Sequence, residues 1–276
     1  MTDRYAVVGN PIDFSKSPAI HMAFAATTGQ DIEYTKVLGP PGEFGATAAA
    51  FRVAGGRGMN VTAPFKLDAY EYATERSSRA EISGAANALK FEGDKVIAEN
   101  FDGIGLVRDV AHNLAAAMKG KRVLLLGAGG AARGAVMPFV EQQPASLVIA
   151  NRTPAKAHAL AAIARAAGAA CDVKACGFDD LREETFDVVF NATSASLRGE
   201  LPAVSATAFR LATLAYELAY GNGLTPFLRL AKNAGVTQLA DGVGMLVEQA
   251  AEAFAWWRGI RPETASVIRA LSIPLR

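Results

Sequence analysis

Two short motifs carry residues whose types could do chemistry: a lysine that could give or take a proton, and an amide with a carboxylate that are either a working pair or a polar turn before a helix. Lys66 closes N-V-T-A-P-F-K (60–66), where Asn60 and Thr62 add polar groups at the end of an apolar run. Asp102 lies in E-N-F-D-G-I-G (99–105), two residues after Asn100. On an extended segment Asn100 and Asp102 would face one way and Phe101 the other. Open α/β sheets bind ligands beyond the carboxyl ends of their strands, and a lysine at such an end is placed to give or take a proton. Taken alone, Lys66 is more often an exposed lysine at a helix start. Ser15 and Ser17, in G-N-P-I-D-F-S-K-S-P (9–18), could donate to a carboxylate, although serines at such places are also common caps and turn formers.

The strongest local signal is L-L-L-G-A-G-G-A-A-R-G (124–134), in which Gly127, Gly129 and Ala132 fit G-x-G-x-x-A. The first glycine allows the strand-to-helix turn, the second lets the backbone approach a pyrophosphate, and the small third residue lets helix and strand pack closely. The helix N-terminus then offers free N–H groups to phosphates. The competing reading is a glycine-rich turn without a ligand; the apolar strand before it and the helix after it favour the nucleotide. The next strand ends in V-I-A-N-R-T-P-A-K (148–156). An acidic residue there would accept from the ribose 2′-hydroxyl of NAD. Asn151, Arg152, Thr153 and Lys156 instead suit a 2′-phosphate, which favours NADP. N-A-T-S (191–194) closes a further buried run and could line the nicotinamide side.

The elements that must position these residues alternate along the chain. Strands are expected at 4–8, 32–38 and 57–61, and helices at 17–28, 43–54 and from Pro64, with Ser17 as N-cap, Pro18 in the first turn and Gly29 as a stop. Residues 86–98 read as a hairpin turning at Gly93-Asp94. A second series follows, with a helix at 103–118, strands at 121–127, 146–150, 171–175, 186–190 and 213–217, and helices at 130–143 and 154–167. Helices at 243–257 and 262–271 complete it, with Trp256 and Trp257 read as core packing. The pattern predicts an α/β fold with a doubly wound βαβ series in its second part.

The bulk numbers narrow the function classes. With 276 residues, 51% hydrophobic, and 28 basic against 27 acidic residues, the chain suits two modest domains with substantial cores. The interspersed charge shows neither a nucleic-acid footprint nor a polybasic membrane patch, and no apolar run reaches membrane-spanning length. Cys171 and Cys176 read as reduced thiols, and His21, His112 and His158 lack ligand spacing, so no metal site is expected. The N-terminus runs almost directly into a strand, without the pattern of a signal peptide, and a cytoplasmic protein is expected.

Taken together, G-N-P-I-x-x-S-K-S-P, N-V-T-x-P-x-K, N-x-D-G-x-G, G-A-G-G-A-A, N-R-T, N-A-T-S and D-G-x-G-M-L-x-x-Q (Asp241 to Gln249) stand in the order and spacing of the shikimate dehydrogenase family, which the chain resembles over nearly its whole length. The resemblance implies two α/β domains: a substrate-binding catalytic domain of residues 1–101 plus 241–276 and a Rossmann-type NADP-binding domain of residues 102–240. It implies NADP-linked interconversion of 3-dehydroshikimate and shikimate in aromatic biosynthesis, by a monomer or homodimer without nucleic-acid or membrane partners. Ser15 and Ser17 would hold the substrate carboxylate; Thr62, Lys66, Asn87, Asp102, Tyr220 and Gln249 would contact the rest of the substrate, with Lys66 and Asp102 as the acid/base dyad. Gly127, Ala128, Gly129, Gly130, Ala131, Asn151, Arg152, Thr153 and Lys156 would bind NADP, with Leu218 and Gly242 near the nicotinamide.

The chain departs from the family pattern beside these positions. Phe14 stands where histidine is usual, Phe101 and Ala88 where threonine is usual, Glu217 where aspartate is usual, and Leu218 where methionine is usual. On this reading the two phenylalanines make one side of the substrate cleft, or the shell supporting it, apolar. The rival readings are a paralogue acting on quinate or an aminoshikimate, and a protein that binds NADP and a small acid without turnover.

Overall fold

The computed structural model describes residues 2–275, which divide into two units: residues 2–105 with Val247–Ala270, and Leu106–Leu246 with residues 271–275. In the first, β1 (Asp3–Gly9), β2 (Ile32–Leu38), β3 (Gly56–Val61), β4 (Glu75–Arg76), β5 (Ala88–Glu92) and β6 (Lys95–Glu99) form a mixed sheet in the order β2-β1-β3-β5-β6-β4. β1 runs parallel to both β2 and β3, whereas β5 is antiparallel to β3 and to β6. The expected hairpin is therefore present as β5–β6. The run Tyr5–Val8 is buried on both faces, as a central strand requires.

Helices α1 (Ser17–Thr28), α2 (Phe44–Val53), α3 (Lys66–Tyr72) and α4 (Ser78–Ser83) accompany this sheet. Phe44, Phe51, Met59, Phe65, Leu89 and Phe91 form much of the core on one side. Gly29 ends α1 in a left-handed conformation, as anticipated. The N-cap of α1 is Lys16 rather than Ser17: the Lys16 carbonyl accepts from Ile20, and the Ser15 hydroxyl takes the Ser17 N–H at 3.3 Å. Ser15 thus does the capping from one residue further out. The helix expected from Pro64 begins at Lys66, because the Thr62 carbonyl accepts from Phe65 in a turn that precedes it.

His21 is fully buried in this unit and stacks on Tyr34, with ring centroids 4.2 Å apart and planes 9° apart. Phe24, Phe254 and Trp257 surround it, and neither ring nitrogen has a hydrogen-bond partner. Burial pushes its pKa down from 6.5 to about 3, against a smaller upward pull from Asn60. The unfolded chain therefore takes a proton on His21 below pH 6.5 that the folded chain refuses until about pH 3, and stability falls as pH drops through that window. Going from pH 7.5 to 5.0 is expected to remove about 2 kcal/mol through this group. Urea unfolding of the wild type and of His21→Phe at both pH values checks this; an equal pH dependence in both would assign the loss elsewhere.

The second unit contains β7 (Arg122–Leu126), β8 (Ser146–Ala150), β9 (Asp172–Cys176), β10 (Val188–Asn191), β11 (Leu214–Glu217) and β12 (Gln238–Asp241), all parallel, in the order β12-β11-β10-β7-β8-β9. This is the doubly wound order, with its reversal point between β7 and β10. Val123 to Leu126 are wholly inaccessible to solvent, since cores lie on both faces of the sheet. α6 (Gly130–Glu141) and α7 (Pro154–Ala166) follow β7 and β8. α8 (Pro226–Asn233) and β12 add a further helix and strand beyond the expected series.

The helix expected over 103–118 is shorter. α5 (Asp102–Arg108) widens into a π-turn over Asp109–Asn113 and ends at Leu114. The cause is tertiary: the buried Asp109 carboxylate accepts from the Tyr216 hydroxyl at 2.7 Å and from Asn113 at 3.0 Å, which fixes the chain at that point. α9 (Val243–Arg258) and α10 (Ala265–Leu271) close the chain. Trp257 on α9 stacks on Tyr5 and donates to the Leu89 carbonyl, which bears out its reading as packing. No helix of the described residues is long and apolar enough to cross a membrane.

Candidate active site

Lys66 is the first residue of α3 and Asp102 the first of α5, and their side chains meet with Lys66 Nζ 2.5 Å from Asp102 Oδ2. The second carboxylate oxygen accepts from Asn87 Nδ2 at 2.8 Å. Asn87 also donates to Gln249 Oε1 at 3.1 Å, and its side-chain oxygen Oδ1 accepts from the Phe101 N–H at 2.9 Å. Both oxygens of Asp102 are thus engaged, and the carboxylate is fixed in rotation. Asp102 is 14% exposed and Lys66 35% exposed, so the pair is accessible from one side. An ammonium group has three donors; with one committed to Asp102, two remain for a ligand oxygen.

The other polar residues singled out in the sequence take different places. Asn100 is not a partner of Lys66: its amide donates to Ser83 and the Ala85 carbonyl, and its oxygen accepts from the Asp102 N–H at 3.1 Å. It is a buried brace that sets the start of α5. Asn60 is braced likewise, accepting from the Tyr34 hydroxyl at 2.7 Å. Ser15 and Ser17 are joined at the opening of α1. Thr62 lies against Gly9, where an added Cβ would come within 2.6 Å of its methyl group.

Two departures from the family pattern touch each other. Phe101 is 4% exposed and packs with Ala88, Ala253 and Trp256; its ring meets the Trp256 ring edge-on at 5.6 Å, and the Arg79 guanidinium lies over it at 5.8 Å. The small Ala88 makes room for the large Phe101, so this phenylalanine belongs to the supporting shell. Phe14, by contrast, is 86% exposed on the loop before Ser15. Phe101→Thr is expected to cost about 3 kcal/mol through the void it leaves. Ala88→Thr in the same chain should recover part of that loss, and the ratio of rates on alternative substrates should stay within about twofold. Urea unfolding and initial rates of the single and double variants check both statements; strict additivity would separate the two positions.

In the second unit a groove of about 520 Å³ lies at the carboxyl ends of the strands. Gly127, Ala128, Gly129, Gly130, Asn151, Arg152, Thr153 and Lys156 line it. Gly127 has φ +110°, and a Cβ there would press within 3.0 Å of the Ala192 carbonyl group; only glycine suits the turn. At Gly129 an added Cβ would meet no protein atom within 4 Å. The space beside that glycine is open groove, which fits the close approach of a pyrophosphate. The first N–H groups of α6 face the same end, as helix geometry dictates. Arg152 and Lys156 make no ion pair among the described residues. The groove therefore fits an anionic dinucleotide.

Ala131 lies in the first turn of α6 but outside the groove lining. Leu218 and Gly242 lie together instead, with the Leu218 carbonyl oxygen only 2.1 Å from where a Gly242 Cβ would stand. Tyr220 is 42% exposed on the loop after β11. Glu217 is fully buried; it accepts from Asn191 at 3.0 Å, from Thr225 at 3.2 Å and from the Ser196 hydroxyl. Burial pushes its carboxyl up, and these donors offset part of the rise. It ties the turn after β10 to the segment carrying Leu218. Sequence reasoning missed Phe178, Arg198 and Glu200, which also line the groove. The only signal for them was their position on turns that follow strands of a doubly wound sheet.

Comparison with known proteins gives a consistent result. The models for the shikimate dehydrogenase substrate binding domain, for shikimate/quinate 5-dehydrogenase and for the shikimate 5′-dehydrogenase C-terminal domain match residues 7–89, 109–199 and 242–271. The NADP(+) shikimate dehydrogenase of Nitrosospira multiformis is 53% identical over 97% of this chain and 96% of its own. The crystal structure of an Ael1 enzyme from Pseudomonas putida is 55% identical, covers both chains fully and superposes with a TM-score of 0.96. Shikimate 5-dehydrogenase from Thermus thermophilus, solved with NADP(H) and shikimate, is 28% identical over 98% of each chain with a TM-score of 0.86.

Proposed function

The chain belongs to the shikimate dehydrogenase family, and on that premise we propose that it interconverts 3-dehydroshikimate and shikimate with NADP, Lys66 and Asp102 moving the proton. The observation that carries the proton assignment is the Lys66–Asp102 contact within the set closed by Asn87 and Gln249. Residues 1–101 with 241–276 serve substrate and residues 102–240 serve NADP, in a cytoplasmic enzyme of aromatic amino acid biosynthesis that is a monomer or homodimer.

When bound, NADPH supplies the hydride. The protein does the rest. Hydride addition to a ketone builds alkoxide charge on its oxygen, and the Lys66 ammonium meets that charge and delivers a proton. Asp102 keeps the ammonium aimed, and Asn87 with Gln249 keeps Asp102 from turning. In the reverse direction Lys66 takes the hydroxyl proton. Ser15 and Ser17 hold the substrate carboxylate, and Thr62 and Tyr220 contact the remainder of the ring. Gly127 to Gly130 would hold the pyrophosphate, Asn151, Arg152, Thr153 and Lys156 the adenosine ribose phosphate, and Leu218 and Gly242 the nicotinamide.

Initial rates with shikimate and quinate, each paired with NADP and NAD, test this reading. Shikimate with NADP is expected to give the highest kcat/KM. A higher value with quinate would move the chain to a related activity, and no turnover with any pair would make it a binding protein.

A further inference from the structure

We propose that Arg198 belongs to the set of cations that holds the NADP 2′-phosphate, and that Glu200 competes with that phosphate for it. The proposal rests on the reading of the groove as the NADP site. Its basis is the part of the groove lining that comes from residues 192–203, apart in sequence from the Asn151–Lys156 segment. There a short turn, Ser196–Arg198, closes at Gly199 in a left-handed conformation, and the Ala195 carbonyl accepts from both Arg198 and Glu200. The turn brings residues 198 and 200 to one side. Arg198 Nη2 lies 2.7 Å from Glu200 Oε2, and Arg198 Nη1 donates to the Ser194 hydroxyl at 3.1 Å. Arg152, Lys156, Arg198 and Glu200 all line the same groove.

The electrostatics agree with this geometry. The hydrogen bond from Arg198 holds the Glu200 carboxyl below the usual range, and the charges of Arg198 and Arg152 lower it further. Glu200 thus lies within the field of both Arg198 and Arg152. Three cations and one carboxylate leave two positive charges, close to what a phosphate monoester carries with opposite sign at neutral pH. A doubly charged phosphate with three acceptor oxygens can displace a carboxylate from a guanidinium fork. An uncharged ribose hydroxyl cannot. Glu200 therefore lowers the affinity for every ligand that needs Arg198, and Arg198 gives the discrimination between the two nicotinamide cofactors a second anchor besides Arg152.

Calorimetric titration of the full chain with adenosine 2′,5′-bisphosphate and with 5′-AMP tests this without turnover. The wild type is expected to bind the bisphosphate more tightly. Glu200→Gln should tighten the bisphosphate about threefold and leave 5′-AMP within about twofold, as suits an exposed pair. Arg198→Gln should weaken the bisphosphate about fivefold, and in that background Glu200→Gln should recover less than half of its gain. A Glu200→Gln variant with unchanged bisphosphate affinity would overturn the competition. So would a gain that persists in full without Arg198, because a general field effect would then suffice. An unchanged bisphosphate affinity in Arg198→Gln would remove Arg198 from the site. A wild type with no preference for the 2′-phosphate would overturn the NADP reading of the groove itself.

Discussion

Lys66→Ala is expected to lower kcat for shikimate oxidation about a thousandfold while KM for shikimate stays within about tenfold. The reasoning is differential. In the proposed mechanism Lys66 meets a substrate oxygen that is neutral in the ground state and charged near the transition state, so its loss would be felt mainly in the chemical step. Asp102→Asn should cost somewhat less, because Asn keeps one acceptor for Lys66 or Asn87, although its amide NH2 then faces the other donor and the charge that aims the ammonium is gone. The double variant should be little worse than Lys66→Ala alone, since residues acting as a unit do not add. Stopped-flow and steady-state rates with saturating NADP check this. A change confined to KM would make Lys66 a binding residue and leave proton transfer to another group.

Arg152→Gln is expected to raise KM for NADP about thirtyfold and to change KM for NAD less than about threefold. Arg152 makes no ion pair among the described residues, so its planar fork is open to a phosphate in the groove. Glutamine retains a donor but loses the charge and the bidentate geometry. Lys156→Gln should have a smaller effect of about threefold, because an ammonium on a flexible stem binds phosphate as a point charge. Raising the ionic strength should shrink both differences, as these side chains face solvent. Equal losses for NADP and NAD would place Arg152 at the pyrophosphate instead.

How far the sequence revealed this arrangement depended on the range of the interactions. The turn at Gly127 was legible because a left-handed φ and the strand-to-helix geometry are local properties. β2 was legible to the residue because its run is bounded by turn residues on both sides. The meeting of Lys66 and Asp102, 36 positions apart, followed only from the family resemblance; no spacing rule connects them. The π-turn at Asp109 escaped notice because its cause, the Tyr216 hydroxyl, lies 107 residues away. Ser17 was a sound N-cap by type, yet the Ser15 hydroxyl, two residues earlier, takes the Ser17 N–H. Phe101 was legible as a change either in the substrate cleft or in the shell supporting it, and only its packing with Ala88 and Ala253 placed it in the shell. Arg198 sits on a turn with no periodicity to announce it.

The split composition of the first unit sets an order on synthesis. Its N-terminal part ends at Gly105, and its remainder starts only at Val247. That late segment supplies Gln249 to Asn87, Ala253 and Trp256 to Phe101, Trp257 to Tyr5 and Arg258 to Asp3. At roughly 5–20 residues per second, a chain leaving the ribosome waits on the order of ten seconds between the two parts. The parallel sheet of the other unit is complete at Asp241, before Val247 is made. The sheet of the nucleotide-binding half is therefore the first to be complete on the ribosome, with residues 271–275 joining that unit last. The half carrying Lys66 and Asp102 stays unfinished, its aromatic faces uncovered, until the last helices emerge, which makes the nascent chain most dependent on chaperones during that interval.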